Sequence, residues 1–71
     1  MHQSIDRAML DLSTGFGLKI RRQALGIQAR TIAQLMGVTR SRVAAIEAAR
    51  YPTRAARTRY LDALQRAAAE R

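Results

Sequence analysis

Arg40, Ser41, Arg42 and Ala45 are the residues of this chain with the clearest chemistry. They fall on a short segment whose apolar positions, Val43 and Ile46, make a narrow helical stripe, so the four point away from it. Arginine carries a planar fork of donors that matches a phosphate, or the O6/N7 edge of guanine, bidentately. Serine can contact a base or a phosphate, and an alanine methyl can touch a thymine methyl. A helix with such an outer face, held at a sharp angle by another, can enter the major groove of DNA. Thr39 has the hydroxyl needed to cap it, and Gly37 can take positive φ without a Cβ penalty.

A companion helix precedes that turn. Ile32, Leu35 and Met36 recur at helical spacing between Gln28 and Met36, and the two helices together make a motif over 28–48. Upstream, Leu18, Arg22 and Leu25 share one face of a helix from about Gly17 that stops at Gly26. Ser4 can cap an earlier helix over 4–12 carrying Ile5, Met9 and Leu12, which Ser13-Thr14-Gly15-Phe16-Gly17 is expected to end. After the motif, Tyr51-Pro52-Thr53 breaks the chain and Thr53 can cap a last helix over 54–70. The pattern predicts an all-α fold: one domain over 1–71, a compact bundle of about five helices.

At 71 residues, with much of its 48 % hydrophobic content supplied by alanine, the chain should have a thin core. Association with a second copy would relieve the shortage. Tyr60, Leu61, Leu64 and Ala68 make an apolar stripe on the last helix and are the expected homodimer interface. There is no cysteine, His2 is the only histidine, and the acids show no ligand spacing, so no metal or other cofactor is expected. No nucleophile–base set, phosphate loop or carboxylate pair suggests an enzyme. No apolar run approaches membrane-spanning length and no signal-peptide pattern is visible, so cytoplasmic residence is expected, with no membrane partner.

The formal charge is +8, and Lys19 is the only lysine among 13 basic residues. Arg40, Arg42, Arg50, Arg54, Arg57 and Arg59 stand against one acid, Glu47, between positions 40 and 59, which is the footprint of a polyanion-binding surface. Arg30, Thr39, Arg50, Arg54 and Arg57 are the expected phosphate contacts. Arginines at the start of the last helix oppose its dipole, and a nearby phosphate would offset that cost. With aromatics at 4 %, the stacking platforms of single-strand RNA recognition are lacking.

Gly26-Ile27, Ala33, Gly37-Val38-Thr39, Val43 and Ile46-Glu47 together resemble the XRE family, the Cro and phage-repressor type of helix-turn-helix, in lead-in, turn and ending. The likeness extends through Leu18, Arg22 and Leu25 on one side and to Pro52 on the other. It implies a lambda-repressor-like DNA-binding domain in which the first residues after Thr39 go deepest into the groove. Arg40, Ser41, Arg42 and Ala45 are then the base-reading set. It also implies a structural ion pair, Arg22 with Glu47, that fixes the angle of the reading helix. Small members of the family act by occluding promoters, so the resemblance implies a sequence-specific transcriptional regulator of double-stranded DNA. The form expected is a homodimeric repressor of a phage, plasmid or other mobile element, binding palindromic operators. The alternative on the same scaffold is an antitoxin or antiactivator that captures a partner protein. The family usually has Ser or Thr where this chain has Gln28, and Gln where it has Ala29, which leaves Arg30 as the nearest phosphate ligand there. The glycine common after the family's glutamate is missing around Ala48-Ala49, so the reading helix could run on.

Overall fold

The computed structural model describes residues 11–70. Over that span the chain forms four α-helices and no strand: α1 (Gly15–Ala24), α2 (Ala29–Met36), α3 (Arg40–Ala48) and α4 (Arg54–Ala69). The helix expected over 4–12 lies outside the described residues except for its end, where Asp11 and Leu12 are not helical. The all-α class therefore holds, with four helices in place of about five among the described residues.

Each helix sends one fully buried side chain to a common centre: Leu18, Ile32, Val43 and Tyr60. Ile27, Met36, Ile46 and Leu64 pack around them, and Ala33, Ala56, Ala63 and Ala67 let the backbones approach. α2 packs on α4 and α3, while α1 packs on α3 and α4. The core is thin, as alanine content required, and is shared by every helix.

Local signals account for most boundaries. Gly37 adopts φ 71° and ψ 34° at the end of α2, and a side chain there would meet nothing, so the backbone conformation rather than space selects glycine. Thr39 Oγ1 accepts from the Arg42 amide at 3.1 Å, and Thr53 Oγ1 accepts from the Ala56 amide at 3.1 Å, which caps α3 and α4. α3 does not run on past Ala48, because Ala49 turns extended (ψ 135°). Tyr51 and Pro52 follow, and a residue before proline is disfavoured in the helical region.

The stretch expected to end a helix begins one, two residues earlier than Gly17. Thr14 is the N-cap of α1: its hydroxyl accepts from the Gly17 amide at 2.9 Å and donates to the Asp11 carbonyl at 2.9 Å. Gly15, Phe16 and Gly17 are its first turn. Two glycines in three residues argue against a helix by propensity. Here tertiary packing decides, since a Cβ on Gly17 would collide with the Asp11 backbone and one on Gly15 with α3.

Candidate nucleic-acid interface

α3 is oriented by two buried side chains and by what is fixed at its ends. Val43 and Ile46 face the core. Arg40, Ser41, Arg42, Ala44, Ala45 and Ala48 are exposed. Arg40, Ser41, Arg42 and Ala45 thus share the outer side of one helix. Ala44 and Ala48 join them, and the sequence reading missed both, although a one-turn spacing from Arg40 through Ala44 to Ala48 was available as a signal. Beyond the first turn this face carries only methyl groups. Nothing on it would hold the helix away from a base edge.

Arg22 and Glu47 meet, and a third residue meets them. Arg22 Nε donates to Glu47 Oε2 at 2.8 Å and its Nη2 to Oε1 at 3.3 Å, while Nη1 donates to the Ile27 carbonyl at 2.8 Å. Both charged side chains are close to 10 % exposed (11 % and 9 %), so the pair is nearly dry. The Tyr60 hydroxyl donates to Glu47 Oε2 at 2.5 Å, with the Leu18 carbonyl at 3.3 Å as a weaker shared acceptor. α1, α3 and α4 are joined at one carboxylate. The Glu47 hydrogen bond holds the Arg22 guanidinium above its ordinary pKa, and outweighs the opposing effect of burial. Burial, and then the bond to Glu47, pushes the Tyr60 phenol well above the usual tyrosine range, so it stays protonated and donating.

A backbone contact fixes the other side of the α3 C-terminus. The Gly15 amide donates to the Ala49 carbonyl at 3.0 Å. A Cβ on Gly15 would sit closer than real Cβ atoms come to the carbonyl oxygens of Ile46, Glu47 and Ala49. The first turn of α1 therefore abuts the last turn of α3, positive dipole end against negative. Arg59 braces the opposite end, donating from Nη2 to the Met36 carbonyl at 2.8 Å, one of the carbonyls that the end of α2 leaves unpaired. Neither Gly15 nor the hydroxyl of Tyr60 has a role expected from sequence, and Arg59, grouped there with the polyanion-binding arginines, spends a guanidinium nitrogen on this backbone contact.

The expected phosphate contacts lie on both flanks of α3. Arg30 lies beside α3 in an open depression lined by Arg22, Gln28, Ala29, Arg30 and Arg40. Gln28 does not cap α2 with its side chain, and its Oε1 instead accepts from Arg30 Nη2 at 2.9 Å, which steadies that arginine over the uncapped helix start. On the other flank, Arg57 Nη1 donates to the Pro52 carbonyl at 3.2 Å, and the Arg50 guanidinium lies 6.0 Å from the Tyr51 ring centre. Thr39 spends its side-chain oxygen on the cap. Among the described residues the side chains of Arg40, Arg42 and Arg54 make no hydrogen bond or ion pair, so their charge faces solvent uncompensated.

The expected dimer stripe is divided. Tyr60 (0 % exposed) and Leu64 (3 %) are core residues of this chain and are not free to meet a second copy. The inward stripe of α4 runs through Ala56, Tyr60, Ala63, Leu64 and Ala67. Leu61 and Ala68 are left half-buried on a neighbouring face.

Among the described residues no helix is long and apolar enough to cross a membrane, and no group of three or more His, Cys, Asp or Glu side chains could hold a metal ion. A four-helix domain that turns one short, arginine-flanked helix outward and fixes its angle from three sides is built as a helix-turn-helix DNA-binding domain. A family model described as helix-turn-helix matches residues 18–68, more than half of the chain. The chain belongs to this XRE-type family of DNA-binding regulatory domains. No curated protein and no solved structure matches it.

Proposed function

We propose that the protein is a sequence-specific transcriptional regulator that inserts α3 into the major groove of a palindromic operator as a homodimer and represses by occluding a promoter. The observation that carries this is the outward group of Arg40, Ser41, Arg42 and Ala45 on a helix whose orientation the Arg22–Glu47–Tyr60 tie fixes. Arg40, first after the Thr39 cap, reads guanine O6 and N7. Ser41 and Ala45 follow along the groove, and Arg42 reaches a base edge or the backbone beside it. Arg30 serves one phosphate strand, and Arg50, Arg54 and Arg57 serve the other. With Tyr60 and Leu64 internal, the second copy is met through Leu61 and Ala68, a small contact that DNA binding completes. The likeness to phage-repressor helix-turn-helix proteins makes a phage, plasmid or other mobile element its proposed setting.

The test is a duplex library selected with the full chain and with two variants. Arg40→Ala should weaken the best operator by about 1–3 kcal/mol and relax preference at one base pair per half-site, whereas Arg54→Ala should weaken all sequences alike. If both variants give the same preference profile, α3 is not the reading helix. If the chain retains no duplex and instead holds a protein partner in a salt-insensitive complex, the antitoxin or antiactivator alternative replaces this one.

A further inference from the structure

Between α3 and the Tyr51–Thr53 loop lies a recess of about 190 Å³. Its floor is Ile46 and Pro52, both buried, and its walls are Ala45, Ala49 and the ring of Tyr51, with Arg42 at its mouth. Tyr51 is 68 % exposed, an unusual position for a large aromatic with no packing role, and Arg50 lies over its ring at 6.0 Å. The lining is mostly apolar, with Arg42 and Thr53 as its polar members, and the recess opens beside the outer face of α3 near Arg42 and Arg50, neither of which has an acid partner among the described residues. A protein surface there would need both an apolar knob and carboxylates for those cations. A nucleic-acid duplex supplies phosphates for them and, in its major groove, one kind of apolar knob: the 5-methyl group of a pyrimidine. That methyl sits on the flank of the groove nearest its own strand's backbone, between a base-reading helix and a backbone-contacting loop.

We propose that this recess seats a pyrimidine 5-methyl group, of thymine or of 5-methylcytosine, and that Tyr51 is a specificity-determining residue. The inference rests on the proposed docking of α3 in the major groove. Ala45 and Ile46 meet the methyl from the helix side, Pro52 from below, and the Tyr51 ring closes the outer wall. Arg42 at the mouth is then placed against the adjacent base or its phosphate. The recess exceeds a single methyl, which leaves room for the C5–C6 edge of the ring that bears it.

The experiment uses the full chain and an operator selected from a random duplex library. Each thymine is replaced singly by deoxyuridine, and each cytosine singly by 5-methylcytosine, with affinity measured for wild type, Tyr51→Ala and Tyr51→Phe. Wild type should lose about fourfold at one thymine per half-site on removal of the methyl, the effect of returning one such group to water. Alternatively it should gain about fourfold on methylation of one cytosine, and this arm tells the two sources apart. Tyr51→Ala should abolish the dependence and Tyr51→Phe should keep it, because the ring and not the hydroxyl makes the wall. An operator with no methyl-sensitive position, a dependence that survives Tyr51→Ala, or one lost in Tyr51→Phe would overturn the proposal. Those results leave the groove-docking reading intact if Arg40→Ala still alters base preference. Failure to select any duplex removes both.

Discussion

Replacing Tyr60 by phenylalanine deletes one oxygen from the centre of the domain, and its effect should depend on pH because burial and the bond to Glu47 both hold the phenol in its protonated form. The ring is fully buried and remains, so the cavity left is small. What goes is the 2.5 Å bond to Glu47 Oε2, a hydrogen bond to a charged acceptor and worth about 1.5–3 kcal/mol. Glu47 keeps Arg22 at 2.8 and 3.3 Å, which places the loss at the low end, about 1.5 kcal/mol near pH 8. In a domain of this size that lowers the melting temperature by about 8 °C. The folded phenol titrates above its ordinary value of 10.0, so the folded state still holds its proton where the unfolded chain has released it. The contribution is therefore complete below pH 10 and is lost as pH rises beyond it, approaching about 1.4 kcal/mol per pH unit. By pH 11 wild type should have lost about 1.4 kcal/mol from this source, and the variant nothing. Guanidinium melts at half-unit steps from pH 8 to 11 should show the two proteins converging. Stability curves that stay parallel across that range would refute a buried Tyr60 phenol that keeps its proton in the folded state.

Arg22→Ala and Glu47→Ala should each cost on the order of 3 kcal/mol, since each leaves a nearly buried charge without its partner. The double variant should cost clearly less than their sum by thermal denaturation, and strict additivity would mean that the two do not interact. Gly15→Ala should destabilise by about 1–3 kcal/mol, because the new methyl is forced into the last carbonyls of α3, and operator affinity should fall with it. A folded, fully stable Gly15→Ala protein would show that α1 can move away without consequence. Operator affinity should fall with salt at a log–log slope near −7, from on the order of eight phosphates met by Arg30, Arg50, Arg54 and Arg57 of two copies. Leu61→Asp should bring that slope to about half by preventing the second copy from joining, and an unchanged slope would place the dimer contact elsewhere.

The parts of the molecule that sequence made legible are those settled within a few residues. Gly37, Thr39 and Thr53 announce a turn and two caps, and each does so in the structure with a measurable dihedral or hydrogen bond. Val43 and Ile46 set the rotation of α3 to within a residue, so the outward positions could be named. Misreadings arose where long-range packing decides. The Gly15–Phe16–Gly17 stretch has poor intrinsic helicity and is helical because α3 needs a close neighbour. On α4 the expected stripe runs through Tyr60, Leu61, Leu64 and Ala68, yet Ala56, Ala63 and Ala67 belong to the core, which turns the inward face roughly a quarter turn away from Leu61 and Ala68. Tyr60 gives no sign in sequence that its hydroxyl will find a carboxylate on another helix. Only the assembled packing points it there.

These features together explain how a domain with so little core can hold a reading helix steady. Val43 and Ile46 bury enough apolar surface for about 1.5–3 kcal/mol each, which keeps α3 docked. Two side chains one turn apart do not by themselves fix its tilt or its rotation. The fixing groups are polar and lie at the ends: Glu47 held by Arg22 and Tyr60, the Ala49 carbonyl held by Gly15, and the Thr39 cap. Glu47 and Ala49 lie off the exposed face, and Thr39 sits exposed where that face begins. Changes at Arg40, Ser41, Ala44, Ala45 or Ala48 should therefore alter what is read at little cost in stability, since surface positions away from such ties usually matter by less than about 0.5 kcal/mol. Changes at Arg22, Glu47, Tyr60 or Gly15 should act in the opposite sense, disturbing the placement of every proposed reading residue at once. On the proposed docking of α3, the division would let its outer face change its target while the scaffold that aims it stays the same.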